Sequence, residues 1–274
     1  MTRQHDVVVG GRTLVTHDSA LPDARLTLVW HHGSPQTGAL LEAVLRPCAD
    51  RRIRVVSYAR PSYGGSTPQP GRRVADAAAD VAAIADSLGI ERFAVMGGSG
   101  GGPHALACAA LLPGRVTAAV TMASPAPYTT DFDWFAGMQA PGGLQAALDG
   151  RDARARFAET DEFDEAQFIA VDYAALQGGW ADLGADADAA DAAGPDGLID
   201  DDVAFASPWG VDLSTIAVPA LVIGGTRDRV IPASHATWLA RQIPAAELHL
   251  RPGDGHISVL LALPEALDWL LAAG

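Results

Sequence analysis

Short apolar runs rich in β-branched residues alternate along the chain with longer segments of helical periodicity. This alternation is typical of a mostly parallel sheet covered by helices on both faces. Right-handed crossovers then bring the carboxyl ends of the parallel strands to one edge, where ligands normally bind. A hairpin of Val7–Val9 and Thr13–Thr16 comes first. The predicted strands after it are Leu26–His31, Ile53–Tyr58, Phe93–Met96, Val116–Met122, Ala220–Ile223 and Glu247–Leu250.

The alternation stops between residues 124 and 207. This stretch contains Ala- and Asp-rich helical patterns and no convincing strand, after which the strand–helix rhythm resumes. We therefore predict one α/β core domain, made of residues 1–123 and 208–274, with a helical insertion at 124–207. An insertion that leaves the carboxyl edge of the sheet would cover a site there as a cap or lid.

Composition excludes several classes of protein. The chain has 274 residues, 49% of them hydrophobic, which is enough for a full core. Its net charge of −14 disfavours nucleic acid and anionic membranes as partners. Cys48 and Cys108 are too few for a disulfide scaffold and lack metal-ligand spacing, so we expect no metal. Without a long apolar run or a signal peptide, a soluble cytoplasmic protein is expected, and a homo-oligomer is left open.

The sharpest motif is Gly97–Gly101, a G-x-S-x-G sequence that follows Phe93–Met96 and opens a helical pattern. A serine on so tight a strand-to-helix turn has a strained backbone and an exposed hydroxyl, and the glycines let strand and helix approach closely. A Walker loop is excluded because the chain contains no lysine. A dinucleotide fingerprint is disfavoured because the motif follows a mid-chain strand. We therefore predict that Ser99 is a nucleophile.

Two later loops supply the base that such a serine needs. His256 follows the strand Glu247–Leu250, and Asp228 follows Ala220–Ile223, so both are expected at the same sheet edge as Ser99. His256 would take the proton of the serine, and Asp228 would hold the imidazole in the correct tautomer.

Alternatives to these assignments are open. Asp228 could instead be a turn carboxylate paired with a neighbouring arginine. Asp254, two residues before His256, is expected to shape its turn. His104, one turn into the predicted helix after Ser99, is expected to pack beside the site.

The turn His31–Pro35, which ends the predicted strand Leu26–His31, supplies a third element of the site. Gly33 lets the chain turn there, and His32 is expected to brace the loop. The backbone amides of Ser34 and Gly100 are predicted to form an oxyanion hole.

These motifs resemble those of the α/β-hydrolase superfamily, and the resemblance extends over nearly the full chain. The matching segments are His32–Pro35, Arg60–Ser66, Gly97–Gly101 and the loops of Asp228 and His256. The order nucleophile, acid, base is that of the family's triad. The Gly-Gly-Ser start of the elbow is similar to proline iminopeptidases and to small cofactor-free esterases and perhydrolases, although Gly100 departs from the bulky residue common in iminopeptidases.

The resemblance implies a serine hydrolase that cleaves small-molecule carboxylic esters through an acyl-enzyme intermediate, with no metal or organic cofactor. A second hypothesis is an amide or peptide hydrolase of the proline iminopeptidase kind. A third is a non-hydrolytic protein of this fold: a lyase, a cyclase or a ligand-binding protein. The serine at the elbow argues against epoxide hydrolases and haloalkane dehalogenases, which resemble this fold but carry Asp there.

The insertion carries apolar side chains that could form a pocket roof and bind substrate, namely Trp134, Phe135, Met138 and Trp180. The alternative is that they form the insertion's own core. The insertion also contains eight aspartates and no arginine between Asp182 and Asp202. This raises the question of whether an acidic lid disfavours anionic substrates.

Overall fold

An eight-stranded sheet forms the centre of the computed structural model, which describes residues 2–273. The strand order is β1-β2-β4-β3-β5-β6-β7-β8, and all strands from β4 onwards in this order pair in parallel. The strands are β1 Arg3–Val9, β2 Arg12–Asp18, β3 Leu26–His31, β4 Ile53–Tyr58, β5 Phe93–Gly98, β6 Val116–Met122, β7 Ala220–Gly225 and β8 Ala246–Arg251. The predicted mostly parallel sheet is therefore confirmed.

Helices cover both faces of this sheet, because the strands bury residues on both sides. In β3, Leu28 lies in one core and its neighbour Val29 in the other, as the two-residue period of a strand requires. One face is covered by α2 Asp76–Ser87, α3 Gly101–Leu111 and α9 Ala233–Gln242, and the other by α1 Glu42–Asp50 and α10 Leu263–Ala273. No helix among residues 2–273 is long and apolar enough to cross a membrane.

The predicted last helix is interrupted. Ser258–Ala262 forms a 3-10 turn, and the α-helix begins only at Leu263. Pro264 has no amide hydrogen, so a continuous α-helical hydrogen-bond ladder cannot run through this position. The residues just after His256 are consequently held by a separate turn.

The segment between β6 and β7 contains five α-helices and two short 3-10 turns and, among the described residues, no strand. The α-helices are α4 Gly142–Leu148, α5 Arg151–Ala158, α6 Ala170–Leu176, α7 Ala181–Ala192 and α8 Asp196–Ala206. The division into a core and a cap domain at residues 124 and 207 stays a prediction, and we call residues 124–207 the helical insertion.

The carboxylate of Asp201 in α8 ties the helical insertion to the sheet domain. Its oxygens lie 2.6 Å from the guanidinium groups of Arg60 and Arg72, and the hydroxyl of Tyr63 donates to it at 3.0 Å. All three charged side chains are buried. Burial raises the pKa of Asp201, but the two arginines outweigh this effect and hold the pKa well below its usual range.

The acidic stretch of the insertion is largely used in such contacts. Six of its eight aspartates bind an arginine, a side-chain amide or hydroxyl, or a backbone amide: Asp182, Asp186, Asp196, Asp200, Asp201 and Asp202. Four of these six pair with arginines, whereas Asp182 and Asp186 accept hydrogen bonds from uncharged donors. Asp188 and Asp191 are exposed, so the stretch keeps part of its negative charge at the surface.

Replacing Asp201 with Ala should destabilise the protein by about 3–5 kcal/mol, because Arg60 and Arg72 would stay buried without a counter-charge. Asp196→Ala is the matched control, since Asp196 pairs with Arg151 at the surface and its loss should cost less than about 1 kcal/mol. Urea unfolding measures both values. Equal losses of stability in the two variants would contradict the buried role of Asp201.

Candidate active site

The turn between β5 and α3 places Ser99 in a left-handed conformation, with φ of +50°. The glycines around it are required by close backbone contacts. A Cβ on Gly97 would overlap the backbone of Gly101, and one on Gly101 would overlap the carbonyl of His31. The amide of Ser99 donates to the carbonyl of Met122 at 2.8 Å. Tight packing of β5, α3 and β3 thus maintains an unfavourable backbone conformation at the serine.

The structure brings Ser99, His256 and Asp228 together in one hydrogen-bonded chain. The Nε2 atom of His256 lies 2.9 Å from Oγ of Ser99, and its Nδ1 lies 2.8 Å from Oδ2 of Asp228. The other Asp228 oxygen accepts the amides of Val230 and Ile231, both at 2.8 Å. Because a carboxylate only accepts, Nδ1 carries the imidazole hydrogen and Nε2 is free to accept the proton of the serine.

The surroundings of His256 favour its protonated form. Burial lowers the pKa of this imidazole, but the Asp228 carboxylate, through its charge and its hydrogen bond, raises the pKa above the ordinary histidine value. The ring of Phe168 lies nearly parallel to the imidazole, with 6.4 Å between ring centroids. The imidazolium that would form during proton transfer is thus stabilised by a buried carboxylate.

The residues considered as alternatives in the sequence analysis bind partners outside the triad. Asp254 forms an ion pair with Arg251 at 2.7 Å, which fits its expected role in the turn. The guanidinium of Arg229 donates to the carbonyl of Ala166. His104 is buried, and its Nδ1 lies 2.9 Å from the carbonyl oxygen of Gly100, so it packs beside the elbow.

The loop after β3 lies against the elbow. A Cβ on Gly33 would come within 3.7 Å of the Cβ of Ser99, and a Cβ on Gly100 would overlap the hydroxyl of Ser34. His32 braces this loop as expected, since its Nδ1 lies 2.7 Å from the carbonyl oxygen of Gly33 and its Nε2 accepts the amide of Arg60. Ser34 and Gly100 are therefore neighbours beside Ser99.

The hydroxyl of Ser34 connects this loop to the helical insertion. It donates to Asp201 and accepts a hydrogen bond from the guanidinium of Arg60 at 3.0 Å. The same guanidinium donates to the carbonyls of His32 and Gly33. The loop that carries Ser34 is thus held by the buried ion pairs of Asp201.

Two of the four predicted substrate-binding side chains are buried against aromatic rings of the sheet domain. Trp134 is buried, donates to the carbonyl of Ala126 and lies against the ring of His235. Trp180 is also buried and stacks on Trp30 with 6.4 Å between ring centroids. Phe135 and Met138 are half-buried. A role in substrate binding stays a prediction for all four.

Two insertion residues next to the site were missed by the sequence analysis. The ring of Phe205 in α8 lies 3.0 Å from the position of a Cβ on Gly100. Asp172 in α6 binds the loop that carries His256. Neither residue belongs to a motif, and their positions depend on how the helical insertion folds back over the sheet edge.

The strained serine turn and the chain of hydrogen bonds define a protein of the α/β-hydrolase class. The family model described as "alpha/beta hydrolase fold" matches residues 27–263, so the chain belongs to this family. Among curated proteins it is similar to a "putative non-heme chloroperoxidase" from Synechocystis sp., with 28% identity over 266 residues that cover 91% of this chain and 92% of the relative.

Two solved structures show the same fold. One is the enol-lactonase from Burkholderia xenovorans LB400, with a TM-score of 0.74 and 21% identity over 98% of this chain and 100% of that one. The other is a bromoperoxidase from Bacillus anthracis, with a TM-score of 0.75 and 22% identity over 98% of each chain. At these identities the similarity establishes the fold alone.

Gly101→Ala should abolish activity and lower stability, because the new methyl group would overlap the backbone of His31 and lie 2.8 Å from the carbonyl oxygen of His32. Gly184→Ala in α7 is the control, since a methyl group there meets open space. That change should raise stability by up to about 1 kcal/mol. Thermal unfolding and hydrolase assays measure both effects, and an active Gly101→Ala variant would contradict the close packing at this turn.

Proposed function

We propose that this protein is a serine hydrolase of carboxylic esters that works through an acyl-enzyme intermediate on a small-molecule substrate. The observation that carries the proposal is the hydrogen-bonded chain from Ser99 through His256 to Asp228, with distances of 2.9 and 2.8 Å. A serine hydroxyl is a weak nucleophile until a base accepts its proton, and this chain supplies the base and the group that orients it.

In the proposed reaction Ser99 Oγ attacks the ester carbonyl while His256 Nε2 takes the hydroxyl proton. The tetrahedral intermediate then breaks its bond to the alkoxy oxygen, and His256 returns the proton to the departing alcohol. A water molecule then attacks the acyl carbon of the acyl-enzyme while His256 takes one of its protons. The bond between the acyl carbon and Ser99 Oγ breaks, His256 returns the proton to Oγ, and the acid is released. Asp228 stays ionised throughout and stabilises the imidazolium.

We assign the stabilisation of the negative charge that develops on the carbonyl oxygen to the backbone amides of Ser34 and Gly100. Their adjacency beside Ser99 supports this role. The amide of Ser99 itself is occupied by Met122, so it is not a donor to the oxyanion. Each such amide would lower the barrier by about 2.7–4 kcal/mol. The start of α3 lies directly after Gly100 and adds the positive end of its dipole.

The names of similar proteins favour ester chemistry and suggest a second candidate. A lactone is a cyclic ester, which is in line with the similarity to an enol-lactonase. The haloperoxidase names suggest that hydrogen peroxide could replace water in the second step. Peroxide would attack the acyl-enzyme, lose a proton to His256 and leave as a peracid, while Ser99 regains its proton. Both candidates share the same acyl-enzyme.

A fluorophosphonate probe tests the nucleophile directly. The wild-type protein should form one covalent adduct, located at Ser99 by mass spectrometry, and Ser99→Ala should form none. The control is Ser62→Ala, since the hydroxyl of Ser62 donates to Asp200 and not to a member of the triad. This variant should still be labelled at Ser99. Wild-type protein that resists labelling would refute the proposed function.

A panel of small esters, N-terminal prolyl amides and esters with added peroxide then separates the candidate reactions. We expect hydrolysis of esters by the wild type and its loss in Ser99→Ala. Turnover of amides alone would support the iminopeptidase alternative. The absence of acyl transfer from every substrate despite labelling would favour a non-hydrolytic role.

The rate should rise with pH as His256 loses its proton, because only the neutral imidazole accepts the proton of Ser99. Since its environment raises the pKa of His256, the midpoint of this rise should lie above the value of about 6.5 for an ordinary histidine. The pH dependence of kcat/KM for an ester measures it. A rate that does not change across this range would contradict the assignment of His256 as base.

A further inference from the structure

Asp172 places a second buried carboxylate beside the candidate base, and it belongs to the helical insertion. It lies in the first turn of α6 and has no solvent exposure. One of its oxygens accepts three hydrogen bonds from the loop after His256: from the amide of Ile257 at 3.0 Å, the amide of Ser258 at 2.7 Å and the hydroxyl of Ser258 at 2.8 Å. The other oxygen accepts the amide of Ile169 at 3.0 Å.

The contact fixes the backbone on both sides of His256. The hydroxyl of Ser258, which donates to Asp172, also accepts the amide of Gly255 at 2.8 Å. A Cβ on Gly255 would lie only 2.7 Å from Cγ of Asp172, so a side chain does not fit there. The residues before and after the imidazole are therefore both held, directly or through Ser258, by one carboxylate of the insertion.

The charge of Asp172 has no cation among its hydrogen-bond partners. All four donors are uncharged amides or a hydroxyl, whereas a fully buried carboxylate is normally paired with a positive group. The neighbouring group that gains positive charge in the proposed reaction is the imidazole of His256. The negative charge of Asp172 raises the pKa of His256, as that of Asp228 does.

We propose that Asp172 is a positioning residue for His256, and that through it the helical insertion holds the base against Ser99. The inference rests on the proposed function, because it gives His256 the role of base. The insertion is then part of the catalytic framework as well as a cover, since displacement of α6 would release the His256 loop.

The two charged groups that face His256 are both carboxylates. Removing either one should therefore lower the pKa of His256. Asp228 faces it from the loop after β7, and Asp172 from α6. Ser99 and Phe168 are uncharged, and Asp254 on the loop of His256 is paired with Arg251. Loss of the charge of Asp172 should lower the pKa of His256. Loss of a purely structural contact would slow the reaction without this change.

The test compares Asp172→Asn and Asp172→Ala with Asp200→Asn. Asp200 is the control because it is also a buried insertion carboxylate that binds the core, through the hydroxyl of Ser62. It differs from Asp172 in its ion pair with Arg151, and it is not a hydrogen-bond partner of the His256 loop. Two quantities are measured in each folded variant: the rate of inactivation by a fluorophosphonate across pH, and the pKa of His256 by NMR titration with the signal assigned from His256→Gln.

Asp172→Asn should move the pH-rate rise and the NMR pKa of His256 to lower pH, while Asp200→Asn leaves both in place. Asp172→Ala should slow inactivation by roughly 10- to 100-fold, because small displacements of a catalytic group have effects of this size. If the alanine variant does not fold, the asparagine variant alone decides the question.

An Asp172→Asn variant with an unchanged pKa and an inactivation rate within about twofold of wild type would overturn the inference. An equal shift in Asp200→Asn would overturn it too. Failure of the wild type to react with the probe would instead refute the proposed function, and the NMR titration would still report whether Asp172 acts on His256.

Discussion

Close backbone packing at the serine turn is the constraint on which the rest of the site depends. Ser99 has a φ of +50°, and Gly97 and Gly101 have no room for a Cβ because β5, α3 and β3 meet there. The conformation is unfavourable for a serine, so it persists only because the surrounding sheet and helix are fixed. It holds the Ser99 hydroxyl within hydrogen-bond distance of His256 and brings Gly100 beside the Ser34 loop.

Two buried aspartates of the helical insertion hold the loops on either side of this turn. Asp201 binds Arg60, Arg72 and the hydroxyl of Ser34 on the side of the proposed oxyanion hole. Asp172 binds the loop of His256 on the other side. Their chemistry differs, because Asp201 is neutralised by two arginines whereas Asp172 has neutral donors only. The insertion therefore contributes to the geometry of the site through charge and hydrogen bonds.

Local patterns predicted the sheet, its parallel strands and the three residues of the candidate triad. Each of Ser99, Asp228 and His256 directly follows a strand, so knowing the strands was enough to place them at one edge. Within the insertion, the sequence did not predict which surfaces the apolar side chains pack against. Trp134 and Trp180 have the hydrophobicity expected of a pocket roof, yet both are buried against other aromatic rings. Hydrophobicity shows that a side chain is buried but does not show which surface it meets.

The sequence by itself determined the family, the positions of the strands along the chain and the candidate nucleophile, acid and base, because these depend on short motifs and regular periodicity. The tertiary structure alone decided the partners of the insertion's aspartates. Asp172 meets Ser258, and Asp201 meets Arg60, only after the chain folds back across more than eighty residues. No local rule specifies such a pairing, since it is set by how the insertion packs over the sheet edge and by the need to neutralise or hydrogen-bond every buried charge.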